Sequence, residues 1–146
     1  MKNAPFGRRI GAILYDTLLL FALVFLGTIP FIAIYGGEHV PSETPSHQLT
    51  VALIIYLFFI VFWSRFGRTL GMQSWGLRIV DRQGQLPGIA ACTVRFAVAL
   101  LSLAALGIGF LWQLVDREGI SWHDRASGTR LRYYPRQKKA EAANDD

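Results

Sequence analysis

Apolar and polar positions fall into long blocks along this chain, and the block lengths match those of membrane-crossing helices. Thr17 to Tyr35 is a run of about 19 residues without a charge, close to the ~20 needed to cross a ~30 Å hydrocarbon core. With the apolar turns that begin at Ile10, a first helix is expected over about residues 10–35. A cleaved secretory signal is the competing reading, because Lys2, Arg8 and Arg9 precede the apolar stretch. That stretch outruns the roughly 7–15 residues of a signal core, holds Asp16 near its start and lacks an A-x-A cleavage pattern. Gly36 to Gln48 then changes to Gly, Pro, Ser, Thr, Glu and His, the composition of a loop. Leu49 to Trp63 is apolar again and, extended back toward Pro45, forms a second helix over about 47–63, closed by Trp63 and Arg65 as interface residues.

The next block changes period. Ser64 to Gly88 is a Gly-punctuated connector in which Leu77 to Asp81 alternates and ends in the turn-like Arg82-Gln83-Gly84, the pattern of a short strand. Thr129 to Tyr133 alternates in the same way, so the two segments are expected to pair as a small cytoplasmic β-ribbon. Ile89 to Val115 is apolar apart from Arg95 and small polar groups such as Gln113. Its roughly 27 residues reach about 40 Å as one helix, too long for an untilted span and too short for two. Gly107-Ile108-Gly109 offers a break, leaving a third membrane helix over 89–106 and a short re-entrant helix over about 110–116. A long tilted third span is the alternative. The fold expected is thus an all-α membrane protein: a small helical bundle with three membrane helices over residues 1–134, followed by a disordered cytoplasmic tail over 135–146.

Composition and charge fit this division. Of 146 residues 52% are apolar and 17% charged, against roughly 25% charged in an ordinary soluble domain. The net charge of +5 raises nucleic acid as a partner, yet the basic residues separate by side of the membrane. Lys2, Arg8 and Arg9 precede the first span, the outer loop has none, Arg65, Arg68, Arg78 and Arg82 lie in the connector, and seven more follow Val115. The positive-inside rule therefore places both termini and the connector in the cytoplasm and the Glu38/Glu43 loop outside. A single Cys92 excludes an internal disulfide and any CxxC metal framework. Arg130, Arg132, Tyr133, Tyr134 and Arg136 resemble a single-strand nucleic-acid surface, but attraction to anionic lipid headgroups explains them more simply, and no nucleic acid is expected.

Charges inside the bilayer are costly, about 2.5–3.5 kcal/mol at a helix centre on insertion scales, so they normally have partners. Asp16 lies six residues after Ile10 and Arg95 six after Ile89. Both helices enter from the cytoplasm, so the two groups share a depth of roughly 9 Å and are expected to form a buried ion pair. Arg9 is two turns before Asp16 on the same face, while Arg8 points elsewhere and reads as an interface anchor. Gly7 and Gly11 form a G-x-x-x-G that would admit a close helix neighbour. Ser121-Trp122-His123-Asp124-Arg125 reads equally as a capping-box helix start. Its Ser, His and Asp, packed into four residues, cannot adopt triad geometry, so no enzyme activity is expected. Glu38, His39, Glu43 and His47 are metal-capable side chains, but Pro41 and Pro45 break helical spacing, and a solvated loop without metal is the commoner explanation.

Gly7-Arg8-Arg9-Ile10-Gly11-Ala12-Ile13-Leu14-Tyr15-Asp16 resembles the first-helix signature of the RDD family of bacterial membrane proteins. Gly67-Arg68-Thr69-Leu70-Gly71-Met72 is similar to the family's G-x-T-L-G connector, and His123-Asp124-Arg125 followed by Thr129 to its closing H-D-R-x-x-x-T. The resemblance covers about Phe6 to Arg132, and it implies that Arg9, Asp16 and Asp124 are the namesake Arg and two Asp residues. Gln73-Ser74-Trp75 stand where many members carry basic residues. It further implies an integral bacterial inner-membrane protein of largely unassigned activity, with transport suggested for some members; no cofactor is expected.

Two functions follow as expectations. In the first, a homo-oligomer passes an ion or small solute, with Asp16 binding a proton or cation. In the second, Arg9, Asp16, Arg95 and Asp124 form a structural clamp in a scaffold or assembly factor that binds another membrane protein.

Overall fold

The computed structural model describes residues 2–37 and 44–134. Two long helices dominate: α1, Phe6–Ile34, and α2, Pro45–Phe66. Pro residues set both starts, Pro5 just before α1 and Pro45 in the first turn of α2, where a missing amide hydrogen costs nothing. Pro30 lies inside α1, a position membrane helices tolerate when neighbours satisfy the freed carbonyl. Both helices are long and apolar enough to cross a membrane, and most of α1's large apolar side chains, such as Leu18 and Phe21, point away from the rest of the chain. Where the two helices meet, Gly27 lies against Ile54, and His47 bonds Thr28 Oγ1 at 3.1 Å and packs edge-on against Phe31.

The third apolar segment is broken. α4, Ile89–Ala104, is followed by α5, Ile108–Leu111, and a 3-10 turn over Trp112–Leu114, with the chain bent by 109° between them. The pair counts as a broken span or a re-entrant loop by length and composition, so the described residues hold two candidate spans, or three if this pair is one. The break begins one residue before the glycines. Leu106 takes a left-handed conformation (φ 55°) and the Gly107 amide bonds back to Ser102 O at 2.7 Å, satisfying a carbonyl at the end of α4.

The alternating segments pair as expected. β2, Leu77–Val80, runs antiparallel to β3, Arg130–Tyr133, in the register Leu77↔Tyr133 to Val80↔Arg130. A third strand, β1, Lys2–Asn3, lies on the other edge of β3, too short to register as a period. Two short helices were also not expected as such: α3, Leu70–Ser74, and α6, Trp122–Ser127, the latter foreshadowed only as a helix start. The core lies where the helix ends meet the sheet, with Ala12, Ile60, Trp63, Leu77, Ile79, Cys92 and Leu131 buried together.

Gly67 fixes the junction between α2 and the sheet. It caps α2 in the left-handed region (φ 66°), its amide reaches Trp63 O at 3.0 Å, and its carbonyl accepts from Ile79 N at 2.6 Å. A Cβ there would stand 2.9 Å from Ile79 O. The 135–146 tail and the loop residues Glu38, His39 and Glu43 lie outside the described residues.

Gly67→Ala is expected to lower stability by about 2 kcal/mol through the left-handed backbone and the collision with Ile79. Cys92 is fully buried, so maleimide labelling of its thiol during heating reports unfolding. Labelling of the variant should begin at lower temperature than in the parent, and coincident onsets contradict the assignment.

Candidate functional site

Three residues of α1 face inward, Arg9, Ala12 and Asp16, at spacings of three and four that form one stripe. The two charged members go to different places. Arg9 Nη1 donates to Asp124 Oδ2 at 3.1 Å, and its Nε donates to Ala4 O at 3.3 Å. Asp124 sits in the first turn of α6 and is buried, and its other oxygen, Oδ1, accepts a short bond from Arg95 Nη1 of α4. Arg95 Nη1 also donates to Thr129 Oγ1 at 2.8 Å, Thr129 Oγ1 meets Ser127 Oγ at 2.7 Å, and the guanidinium lies 5.4 Å from the Trp63 ring. One carboxylate thus joins α1, α4 and α6.

Burial by itself would push the Asp124 carboxyl up, but the guanidiniums of Arg95 and Arg9 override it and hold Asp124 well below the usual carboxylate range. It is therefore ionised at neutral pH. The neighbouring His123 behaves in the opposite sense: burial, reinforced by Arg95, pushes its imidazole down to about 3. Neutral His123 shares a 2.9 Å hydrogen bond between Nε2 and Ser121 Oγ, and its ring packs on Phe110 at 4.7 Å.

Asp16 is held by neutral donors. Thr69 Oγ1 donates to Oδ2 at 2.5 Å and the Gly71 amide donates to Oδ1 at 2.9 Å. The same Thr69 oxygen accepts from Met72 N at 3.2 Å and so caps α3. A Cβ on Gly71 would overlap the Ala12 carbonyl and lie 2.8 Å from the Asp16 carboxylate. Three of the four fixed residues of the G-x-T-L-G segment therefore have separate tasks: Gly67 turns the chain, Thr69 caps and donates, and Gly71 lets the backbone approach α1. No cation reaches Asp16 within ion-pair distance among the described residues.

Several contacts differ from those the sequence predicts. Asp16 and Arg95 do not pair: Asp16 faces α3 while Arg95 faces α6, because equal depth does not give equal direction around a helix axis. Ser121 does occupy the N-cap position of α6, but its hydroxyl goes to His123, and Asp124 serves the arginines, so no capping box forms. Arg8 is not a free anchor, since it bonds Trp75 O at 3.2 Å and lies 4.3 Å from the Tyr133 ring. Gly11 does admit a close neighbour, but that neighbour is the Trp75 indole, and Gly7 has nothing near it. Arg125 stands apart from the buried cluster, paired with Asp116 at 2.8 Å. Asp116 also accepts from Ile120 N at 2.9 Å, which holds its carboxyl below the ordinary value and shapes the turn before α6. Sequence reasoning missed Asp116 and Ser127, whose only signal is a short spacing to backbone or hydroxyl partners. Of the loop's metal-capable side chains, the described His47 is engaged with Thr28, and no cluster of three or more such residues occurs among the described residues.

The His123 shift gives a pH dependence with a definite sign. Its folded value lies below the ordinary 6.5, so the unfolded chain takes up the proton first. Stability from this group is complete above pH 6.5 and is lost as pH falls toward 3, by roughly 2 kcal/mol at pH 5. The difference in unfolding midpoint between the parent and His123→Asn should shrink from pH 7 to pH 5. A difference independent of pH would contradict a buried neutral imidazole.

The RDD family model matches residues 3–128, a range that includes Arg9, Asp16, the G-x-T-L-G segment, Arg95 and Asp124. No curated protein and no solved structure matches the chain. A match over that much of the sequence makes the chain a member of the RDD family.

Proposed function

We propose that this chain is a non-enzymatic, multi-pass protein of the bacterial inner membrane that passes a cation, a proton or another small solute as a homo-oligomer, with Asp16 as the binding carboxylate. One observation carries the reading: Asp16 is a buried carboxylate on a membrane-length helix whose charge no guanidinium balances among the described residues. Taking a carboxylate out of water requires a compensating positive charge or a proton. At Asp124 two arginines supply that compensation permanently. At Asp16 the donors are a hydroxyl and an amide, which orient the carboxylate and leave its charge to be balanced by something mobile.

Two long helices and one bent segment are too few to enclose a pathway, which is why the reading needs several copies. Both termini and the sheet are assigned to the cytoplasm, on the positive-inside distribution of Lys and Arg. A scaffold or assembly factor that binds another membrane protein is the second reading, and it is favoured by the closed Arg9–Asp124–Arg95 triad. In that reading the polar residues only fix helix packing.

Asp16→Asn separates the two. An amide keeps an oxygen for Thr69 or Gly71 but cannot carry the charge. Proteoliposomes tested across a panel of alkali cations and with a pH-sensitive dye should show flux for the parent and at least a tenfold loss for the variant, with both proteins folded to the same extent. Equal flux, or none in the parent, contradicts transport through Asp16.

A further inference from the structure

A second polar feature lies at the end of the sheet, on the outer side of the Asp124 cluster. Val80↔Arg130 is the last pair of the β2–β3 ladder, and beyond it the chain turns through Arg82 on one side and leaves Gly128 and Thr129 on the other. Asp81 fixes that turn by accepting from the amides of Gln83 and Gln85 at 2.9 and 2.8 Å. Arg82 is thereby carried over Gly128, where a Cβ would lie 3.7 Å from its Nε. Between these segments is a groove of about 530 Å³ lined by Arg82, Arg125, Arg130, Glu118 and Thr129, with Asp124 at its base. That volume lies within the range of small-molecule sites.

The charges of the groove do not cancel. Arg125 is paired with Asp116 and Arg130 with Glu118, the latter through an exposed bridge at 3.1 Å, a kind of contact worth little in water. Asp124 at the base is already engaged by Arg9 and Arg95. Arg82 makes no ion pair or hydrogen bond among the described residues. Three guanidiniums, those of Arg82, Arg125 and Arg130, thus line the groove, and that of Arg82 has no ion-pair partner among the described residues. Guanidinium groups set around a concave surface match the geometry of phosphate oxygens.

The flanking chain indicates which phosphate. Asp116, which pairs with Arg125 of the groove, is preceded by Leu114 and Val115, exposed at 61% and 81%, and the exposed indoles of Trp112 and Trp122 lie tilted against each other with centroids 5.9 Å apart. Exposed aliphatic and indole groups next to a basic groove are the pattern of a membrane–water boundary. We propose that the Arg82–Arg125–Arg130 groove binds the headgroup phosphate of an anionic phospholipid, whose acyl chains lie along Leu114, Val115 and Trp112. The site is independent of the transport reading: it uses none of the Asp16 contacts.

The test is native mass spectrometry of the full chain, released from micelles holding equimolar phosphatidylglycerol and phosphatidylcholine. The parent should retain phosphatidylglycerol at least tenfold over phosphatidylcholine. Arg82→Gln should lose about tenfold of that retention with an unchanged unfolding midpoint, because Arg82 is exposed and holds nothing else in place, while Arg82→Lys should keep part of it. Inorganic phosphate at millimolar concentration, added as a separate arm, should displace little of the lipid. Equal retention of the two lipids by the parent, or unchanged retention in Arg82→Gln, overturns the site. Full displacement by inorganic phosphate overturns the lipid assignment and makes the groove a soluble-anion site.

Discussion

The Asp124 carboxylate, held between the guanidiniums of Arg9 and Arg95, is the contact on which the rest of the structure depends. Helices in a bilayer gain little from apolar contact with one another, because lipid is as apolar as leucine. α1 illustrates this, since most of its large apolar side chains face outward and its buried residues are Arg9, Ala12 and Asp16. What ties α1, α4 and α6 together is therefore a polar contact shielded from water. Desolvating three charges costs several kcal/mol each, and the geometry must be good for mutual attraction to repay it. Thr129, Ser127 and the Trp63 ring complete the surroundings of Arg95 and keep that geometry.

That clamp also sets the sheet and the second cluster. Arg9 bonds Ala4 O, and the Ala4 amide bonds Leu131 O at 3.3 Å, so the start of α1 is drawn onto β3. With α1 fixed, its other inward charged residue, two turns on, is Asp16, which receives α3 through Thr69 and Gly71. Two carboxylates in one family signature thereby have different environments. One is neutralised by fixed charge and orders the fold; the other is oriented by a hydroxyl and a backbone amide.

Much of this was legible in the sequence. The uncharged run from Thr17 gave α1, the alternation at Leu77–Asp81 and Thr129–Tyr133 gave the ribbon, and the glycines at 107 and 109 marked the bend. The shared face of Arg9 and Asp16 followed from helical spacing, and the family signature named Arg9, Asp16 and Asp124. Partner choice was not legible. Arg9 and Asp124 are 115 residues apart, and matching Asp16 with Arg95 by depth ignored the direction in which each helix presents its side chain. Small elements were missed for a related reason: α3 is five residues long and β1 two, below the length at which a period shows. The Thr69 cap was visible only as a motif residue until Asp16 and Met72 N were seen on either side of its hydroxyl.

The central claim is that Arg95 is committed to Asp124 and not to Asp16, and double-mutant cycles on unfolding free energy test it most directly. Arg95→Met is combined with Asp124→Asn in one cycle and with Asp16→Asn in the other. The account predicts a coupling of about 2 kcal/mol or more for Arg95 with Asp124 and less than about 0.5 kcal/mol for Arg95 with Asp16. Comparable couplings in the two cycles, or a larger one with Asp16, would contradict it.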